Sequence, residues 1–304
     1  MSVDRLLEQI QKKKNPSVAG LDPNWAFVPD FIKEKYYKEC GKTLEACARA
    51  VLEFNRGLID ALYDIVPAVK PQAAYYELYG WQGMKALEET IAYAREKGMY
   101  VIADIKRNDI GTTAAAYATA YLGQTDVDGT PISAFGADSV TVNGYLGTDG
   151  IEPFLQECRK GKMIFALVKT SNPSSGELQD LKIGDKTVYE TMAGMVNNWA
   201  ESAMGEGAYS QVGAVVGATY PEQQKILRKL MPKVFFLVPG YGAQGATAAD
   251  IAHAFDSNGL GAIVNSSRGI MCAYKKGDWK PQQYAEAARA EAIRMRDEIV
   301  AAIG

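Results

Sequence analysis

Short apolar runs alternate with longer amphipathic stretches along the whole chain. The short runs are rich in Val, Ile, Ala and aromatic residues, and Gly, Pro, Asn or Ser bounds most of them. They predict strands at Ser17–Asp22, Ala68–Gln72, Tyr100–Lys106, Ser139–Asn143, Met163–Thr170, Val212–Ala218, Val234–Gly240 and Ala262–Ser267. Between them, apolar residues three and four apart predict helices at Leu44–Ile65, Gly83–Lys97, Thr112–Leu122, Val188–Ala203, Pro221–Leu230 and Thr247–Phe255. A last helix over Pro281–Ala302 follows the final strand, and Leu6, Leu7 and Ile10 share one face of a helix at the start. Eight βα units without a composition break predict an α/β chain folded as one (β/α)8 TIM barrel over residues 1–304, its N-terminal helix covering the barrel bottom. A doubly wound open sheet is the alternative, because alternation does not say whether the sheet closes.

The polar positions favour closure. Nearly every predicted strand ends in reactive or ligand-binding residues: Asp22, Lys70, Asp104 with Lys106, Asn143, Thr170 with Ser171, Thr219, Gly240 and Arg268. In a barrel those ends converge on one mouth, where enzymes of this architecture keep their active sites. Asp104 and Lys106 stand two apart in a buried strand and so share a face, where opposed charges are costly unless paired or put to use. Lys70 ends an otherwise apolar strand. Alone it reads as a rim lysine with a buried stem; in one mouth with Asp104, Lys106 and Asp109 it gives a chain of alternating charge.

Pro239-Gly240-Tyr241-Gly242-Ala243-Gln244-Gly245 and Asn265-Ser266-Ser267-Arg268-Gly269 follow the seventh and eighth strands, the usual phosphate position of this fold. Glycines there let backbone N–H groups approach an anion, and Arg268 can clamp it. Ser171 opens a polar loop, Thr170-Ser171-Asn172-Pro173, that suits either local turn formation or recognition of a heterocycle edge. The stretches Asp22–Thr43 and Ser171–Lys186 are long for βα connections, as lids often are.

Composition narrows the chemistry. The chain has 304 residues, 47% hydrophobic and 23% charged, with a net charge of -3 and no basic run longer than Lys12-Lys13-Lys14. That argues against a nucleic-acid surface. No apolar run nears the ~20 residues of a membrane span, and a cytoplasmic location is expected. Cys40, Cys47, Cys158 and Cys272 are scattered and the one histidine, His253, lies far from any nucleophile. Zinc sites, disulfide frameworks and histidine-based triads are therefore disfavoured.

The motif Asp104-x-Lys106-x-x-Asp109-x-x-x-Thr113 resembles the signature of the orotidine 5′-phosphate decarboxylase family. Gly20-Leu21-Asp22-Pro23, Val69-Lys70-Pro71, Thr170-Ser171-Asn172-Pro173, Val216-Gly217-Ala218-Thr219-Tyr220-Pro221, the Pro239–Gly245 loop and Arg268 resemble its other motifs, in the family's order and over nearly the whole chain. The longer loops resemble its extended bacterial branch. The resemblance implies decarboxylation of orotidine 5′-monophosphate to uridine 5′-monophosphate, without metal or organic cofactor, in pyrimidine biosynthesis. It assigns Lys106, Asp104, Asp109 and Lys70 to catalysis. It assigns Asp22 to the ribose, Ser171 to the base, and Gln244 and Arg268 to the phosphate. It also implies a homodimer in which Asp109 and Thr113 reach into the neighbouring subunit's site. Three alternatives stay open: a magnesium-dependent 3-keto-hexulose-6-phosphate synthase, a Schiff-base aldolase on Lys106, and a catalytically silent nucleotide-binding barrel.

Overall fold

The computed structural model describes residues 1–242 and 245–304. Eight parallel strands form its centre: β1 (Ser17–Leu21), β2 (Ala68–Pro71), β3 (Tyr100–Arg107), β4 (Ser139–Val142), β5 (Met163–Lys169), β6 (Val212–Val216), β7 (Phe236–Val238) and β8 (Ala262–Ser266). They pair in chain order, and β8 pairs back onto β1 through Ser17–Val264 and Ala19–Ser266. The sheet is a closed barrel, which settles the choice against an open sheet. All strands but β3 end one or two residues earlier than expected, because their last polar residues already turn into the loops of the mouth.

Side-chain alternation sorts the apolar residues into two clusters. Val18, Ala68, Tyr100, Ile102, Phe165, Phe235 and Ile263 fill the barrel. Ala19, Val69, Val101, Val140, Ile164, Phe236 and Val264 face outward into a shell of helices. The shell includes α2 (Asp30–Cys40), α3 (Leu44–Leu62), α4 (Gly80–Glu96), α5 (Gly111–Tyr121), α6 (Thr148–Arg159), α7 (Val188–Glu201), α8 (Pro221–Leu230) and α9 (Tyr284–Ile303).

Helix α1 (Ser2–Lys13) packs Val3, Leu6 and Ile10 into the interior cluster. Three of its polar contacts are with residues at or just before strand starts. Ser2 hydrogen-bonds Tyr100 Oη at 2.7 Å, Val3 N–H donates to Gln211 Oε1 at 2.8 Å, and Arg5 pairs with Asp138 at 2.5 Å. The end of the barrel opposite the mouth is thereby plugged.

The two long stretches expected to be lid loops carry secondary structure. Asp22–Thr43 contains a 3-10 turn at Trp25–Phe27 and then α2, and Thr43 Oγ1 caps α3 by accepting Ala46 N–H at 3.1 Å. Ser171–Lys186 holds a 3-10 turn at Pro173–Ser175, a single helical turn at Gly176–Gln179 and a small hairpin pairing Lys182–Ile183 with Lys186–Thr187. A second hairpin, Thr125–Val127 with Thr130–Ile132, turns through Asp128 and Gly129, both with positive φ (49° and 85°). The helix expected at Thr247–Phe255 is one α turn, Ala248–Ile251, and a 3-10 turn, Ala252–Ala254. Among the described residues no helix is long and apolar enough to cross a membrane.

Candidate active site

At the C-terminal mouth the inner faces of β2 and β3 change from apolar to polar. On β2, Lys70 follows Ala68 inward; on β3, Asp104 follows Tyr100 and Ile102. Both are buried, Lys70 at 3% and Asp104 at 5% exposure. Lys70 Nζ donates to Asp104 Oδ2 at 2.6 Å, and Lys106 Nζ donates to Asp104 Oδ1 at 2.5 Å. One buried carboxylate is thus held between two ammonium groups, each on its own oxygen. Lys70 Nζ also lies 3.8 Å from Asp22 Oδ1. Lys106 differs from Lys70 in exposure: its side chain is 45% accessible and borders open space.

That space is a cavity of about 660 Å³, within the usual range for small-molecule sites. Asp22, Lys70, Asp104, Lys106, Ser171 and Arg268 all line it, with apolar Leu167, Val215 and Leu237 from β5, the end of β6, and β7. Among the described residues, Asp22 Oδ1 is buried without a hydrogen-bond donor, as is Asn265 Oδ1 in the same cavity. Buried acceptors of that kind are expensive unless a ligand or water supplies the donor.

Two of the expected site residues stand apart. Asp109 is half-buried, its Oδ1 accepting the Ile110 N–H at 2.8 Å, and Thr113 is exposed on α5. Neither lines this cavity. Gln244 lies outside the described residues.

Ser171 is held by its neighbours. Thr219 Oγ1 donates to its carbonyl at 3.2 Å, and a Cβ on Gly217 would meet the Ser171 backbone at 2.8 Å, so only glycine lets the two segments come this close. Behind the loop, Lys169 is wholly buried. It donates to Asp180 at 2.7 Å and lies 4.5 Å from the Tyr220 ring centroid.

The charges stabilise one another. Burial opposes ionisation of Asp104, but Lys70 and Lys106 outweigh it and hold this carboxyl well below the usual carboxylate range. Burial likewise opposes the charge on Lys70, yet Asp104 and Asp22 push its pKa upward. The stability supplied by the lowered Asp104 is present above the unfolded carboxylate value and is lost as pH falls through the folded one. That supplied by the raised Lys70 is present below the unfolded lysine value and is lost as pH rises through the folded one. The stability advantage of wild type over Asp104→Asn, from urea midpoints, is therefore expected to shrink as pH falls below about 4. An advantage unchanged down to about pH 2 would contradict the assigned charge on Asp104.

Thr141 and Asn265 both line the cavity, although the sequence marks Asn265 only as the start of the phosphate-side segment and Thr141 not at all. Each continues the inner face of its strand by alternation, Asn265 after Ile263 and Thr141 after Ser139, so strand parity was the signal available. Among the described residues no group of three or more His, Cys, Asp or Glu is placed to hold a metal ion.

Comparison with known proteins agrees with this geometry. Residues 44–279 match the model of the Orotidine 5′-phosphate decarboxylase / HUMPS family. The chain is similar to the curated orotidine 5′-phosphate decarboxylases of Rhodopirellula baltica, 45% identical over 92% of both chains, and of Caldicellulosiruptor saccharolyticus, 44% identical over 90% of both. Among solved structures it is similar to the OMP decarboxylase of Leishmania donovani, with a TM-score of 0.76 and 30% identity over 99% of this chain and 98% of that one. The chain belongs to the orotidine 5′-phosphate decarboxylase family.

Proposed function

We propose that the protein binds orotidine 5′-monophosphate in this cavity and releases uridine 5′-monophosphate and carbon dioxide, as a cytoplasmic enzyme of pyrimidine biosynthesis. The observation that carries the reading is the buried Asp104 carboxylate gripped by Lys70 and Lys106 in a cavity shared with Arg268. Breaking the C6–carboxylate bond leaves its electron pair on an sp² carbon, which water stabilises poorly. Lys106, cationic beside that carbon, stabilises the pair and then transfers an N–H proton to C6. The amine recovers its proton from solvent after product leaves.

Asp104 fixes the Lys106 ammonium and faces the departing carboxylate, so that loss of carbon dioxide removes a like charge. Lys70 orients Asp104 and reaches the ribose. Asp22, with its donor-less oxygen, accepts a ribose hydroxyl. Ser171 reads the base, and Arg268 and Gln244 hold the phosphate, whose remote binding energy favours closure and exclusion of water.

Asp109 and Thr113 act in the site of a second copy. Their position outside this chain's own cavity supports that reading. So do exposed Ile110, Tyr145 and Leu146: a Cβ on Gly150 would touch both the Asp109 carbonyl and Leu146, which sets that apolar surface beside Asp109. Mixing equal amounts of inactive Lys106→Ala and inactive Asp109→Ala is expected to restore about a quarter of the wild-type activity under statistical exchange. No recovery despite exchange shown by mass spectrometry would contradict shared sites.

The test of the function itself is loss of orotate absorbance when purified, exhaustively chelated protein meets orotidine 5′-monophosphate. Turnover is expected to survive EDTA. Turnover of a ketose phosphate that EDTA abolishes would instead favour the synthase also covered by the family model.

A further inference from the structure

We propose that Thr141 is a positioning residue for this reaction: its hydroxyl locks the Lys106 backbone and the Asp104 carboxylate into one unit. The proposal rests on the roles given above to Asp104 and Lys106.

The β3–β4 ladder breaks beside the site. Ala103 pairs with Val140 and Arg107 with Val142, so four residue steps of β3 stand against two of β4. The extra length bulges at the charged segment, and within it Lys106 adopts φ 47°, a left-handed conformation that a lysine rarely takes. Inside such a bulge a backbone N–H loses its ladder acceptor. Thr141, 1% exposed and opposite the bulge on β4, supplies the replacement: its Oγ1 accepts the Lys106 N–H at 3.0 Å. The same hydroxyl donates to Asp104 Oδ1 at 2.7 Å, and that oxygen accepts Lys106 Nζ at 2.5 Å.

The bonds close a ring from Lys106 N–H through Thr141 and Asp104 back to the Lys106 ammonium. A hydroxyl is the smallest group that can accept from one partner while donating to the other. Valine has the same shape and can do neither; serine can do both. With the ring cut, the Lys106 N–H of the left-handed turn loses its acceptor, and the ammonium loses its fixed relation to the substrate carbon.

Thr141→Val is expected to lower kcat about 10- to 100-fold, the scale of a small misplacement of a reacting group, with KM within about 3-fold of wild type. Thr141→Ser should keep kcat within about 3-fold. This split between kcat and KM, together with rescue by serine, is what a purely space-filling threonine would not produce. Equal losses in the valine and serine variants, a change confined to KM, or full kcat in Thr141→Val would each overturn the proposal. If the valine variant does not fold, the serine variant alone decides, since a space-filling role predicts that the lost methyl lowers its kcat as much as its stability. Lys106→Met run in parallel separates the two levels. Should it be fully active, the reading of the site fails; should it be inactive while Thr141→Val is unimpaired, only the role of Thr141 fails.

Discussion

Lys106→Met is expected to lower kcat by about 10⁴-fold or more while leaving the fold and substrate affinity nearly intact. Two losses combine. Proton delivery by a positioned acid contributes about 10²–10⁴, and a fixed charge aimed at developing negative charge about 10²–10³. Both depend on the same ammonium, so a variant that keeps the stem but not the nitrogen removes both. Stability should change little, because the side chain is 45% accessible and Asp104 keeps Lys70 as a partner. Single-turnover kinetics at saturating substrate, beside a thermal melt, checks both halves. Activity within about tenfold of wild type would remove Lys106 from the chemistry.

Asp104→Ala is expected to damage stability as well as turnover, and a second substitution should separate the two. The alanine leaves Lys70 buried with only Asp22, 3.8 Å away, as a counter-charge. Removing one member of a buried ion pair costs about 3–5 kcal/mol, because the remaining charge has neither solvent nor partner. For a chain of this size that lowers Tm by roughly 5–8 °C. Adding Lys70→Met takes away the stranded ammonium, so the double variant should regain most of the lost stability although each single change is destabilising. Activity should not return, since Lys106 would then have no carboxylate to hold it. Recovery of turnover together with stability would mean that the pair serves the fold alone.

Much of this architecture was legible in the chain. Most barrel strands announce themselves as short, largely apolar runs, since burial on both faces of a parallel strand demands continuous apolar sequence. The clustering of Lys70, Asp104 and Lys106 follows from parity and from their position at strand ends. Other features left weaker traces. Helix α2 hides in Asp22–Thr43 because it buries little, Ile32 being its one fully buried residue. Helix α6 has Gly147 as its N-cap and carries Pro153 inside it, two helix-breaking signals that obscure the buried Ile151, Phe154, Leu155 and Cys158.

Thr141 sits in Ser139-Val140-Thr141-Val142, where threonine passes for an ordinary strand former. The left-handed turn at Lys106 had no glycine to mark it. Strict alternation would have carried the strand straight on, and the inserted length becomes evident only once β3 is laid against β4. Local pattern therefore identified the charged residues, while the hydroxyl that aligns them is a property of the pairing between strands.

The account turns on Lys106 giving a proton to C6 of the pyrimidine, and an enzyme that places a proton there must also remove one by the reverse path. Wild-type protein held with uridine 5′-monophosphate in D2O should exchange the C6 hydrogen for deuterium, followed by proton NMR. Lys106→Met, folded and still binding the nucleotide, should show none above the uncatalysed background. Equal exchange by both proteins would contradict the assignment of the proton to Lys106.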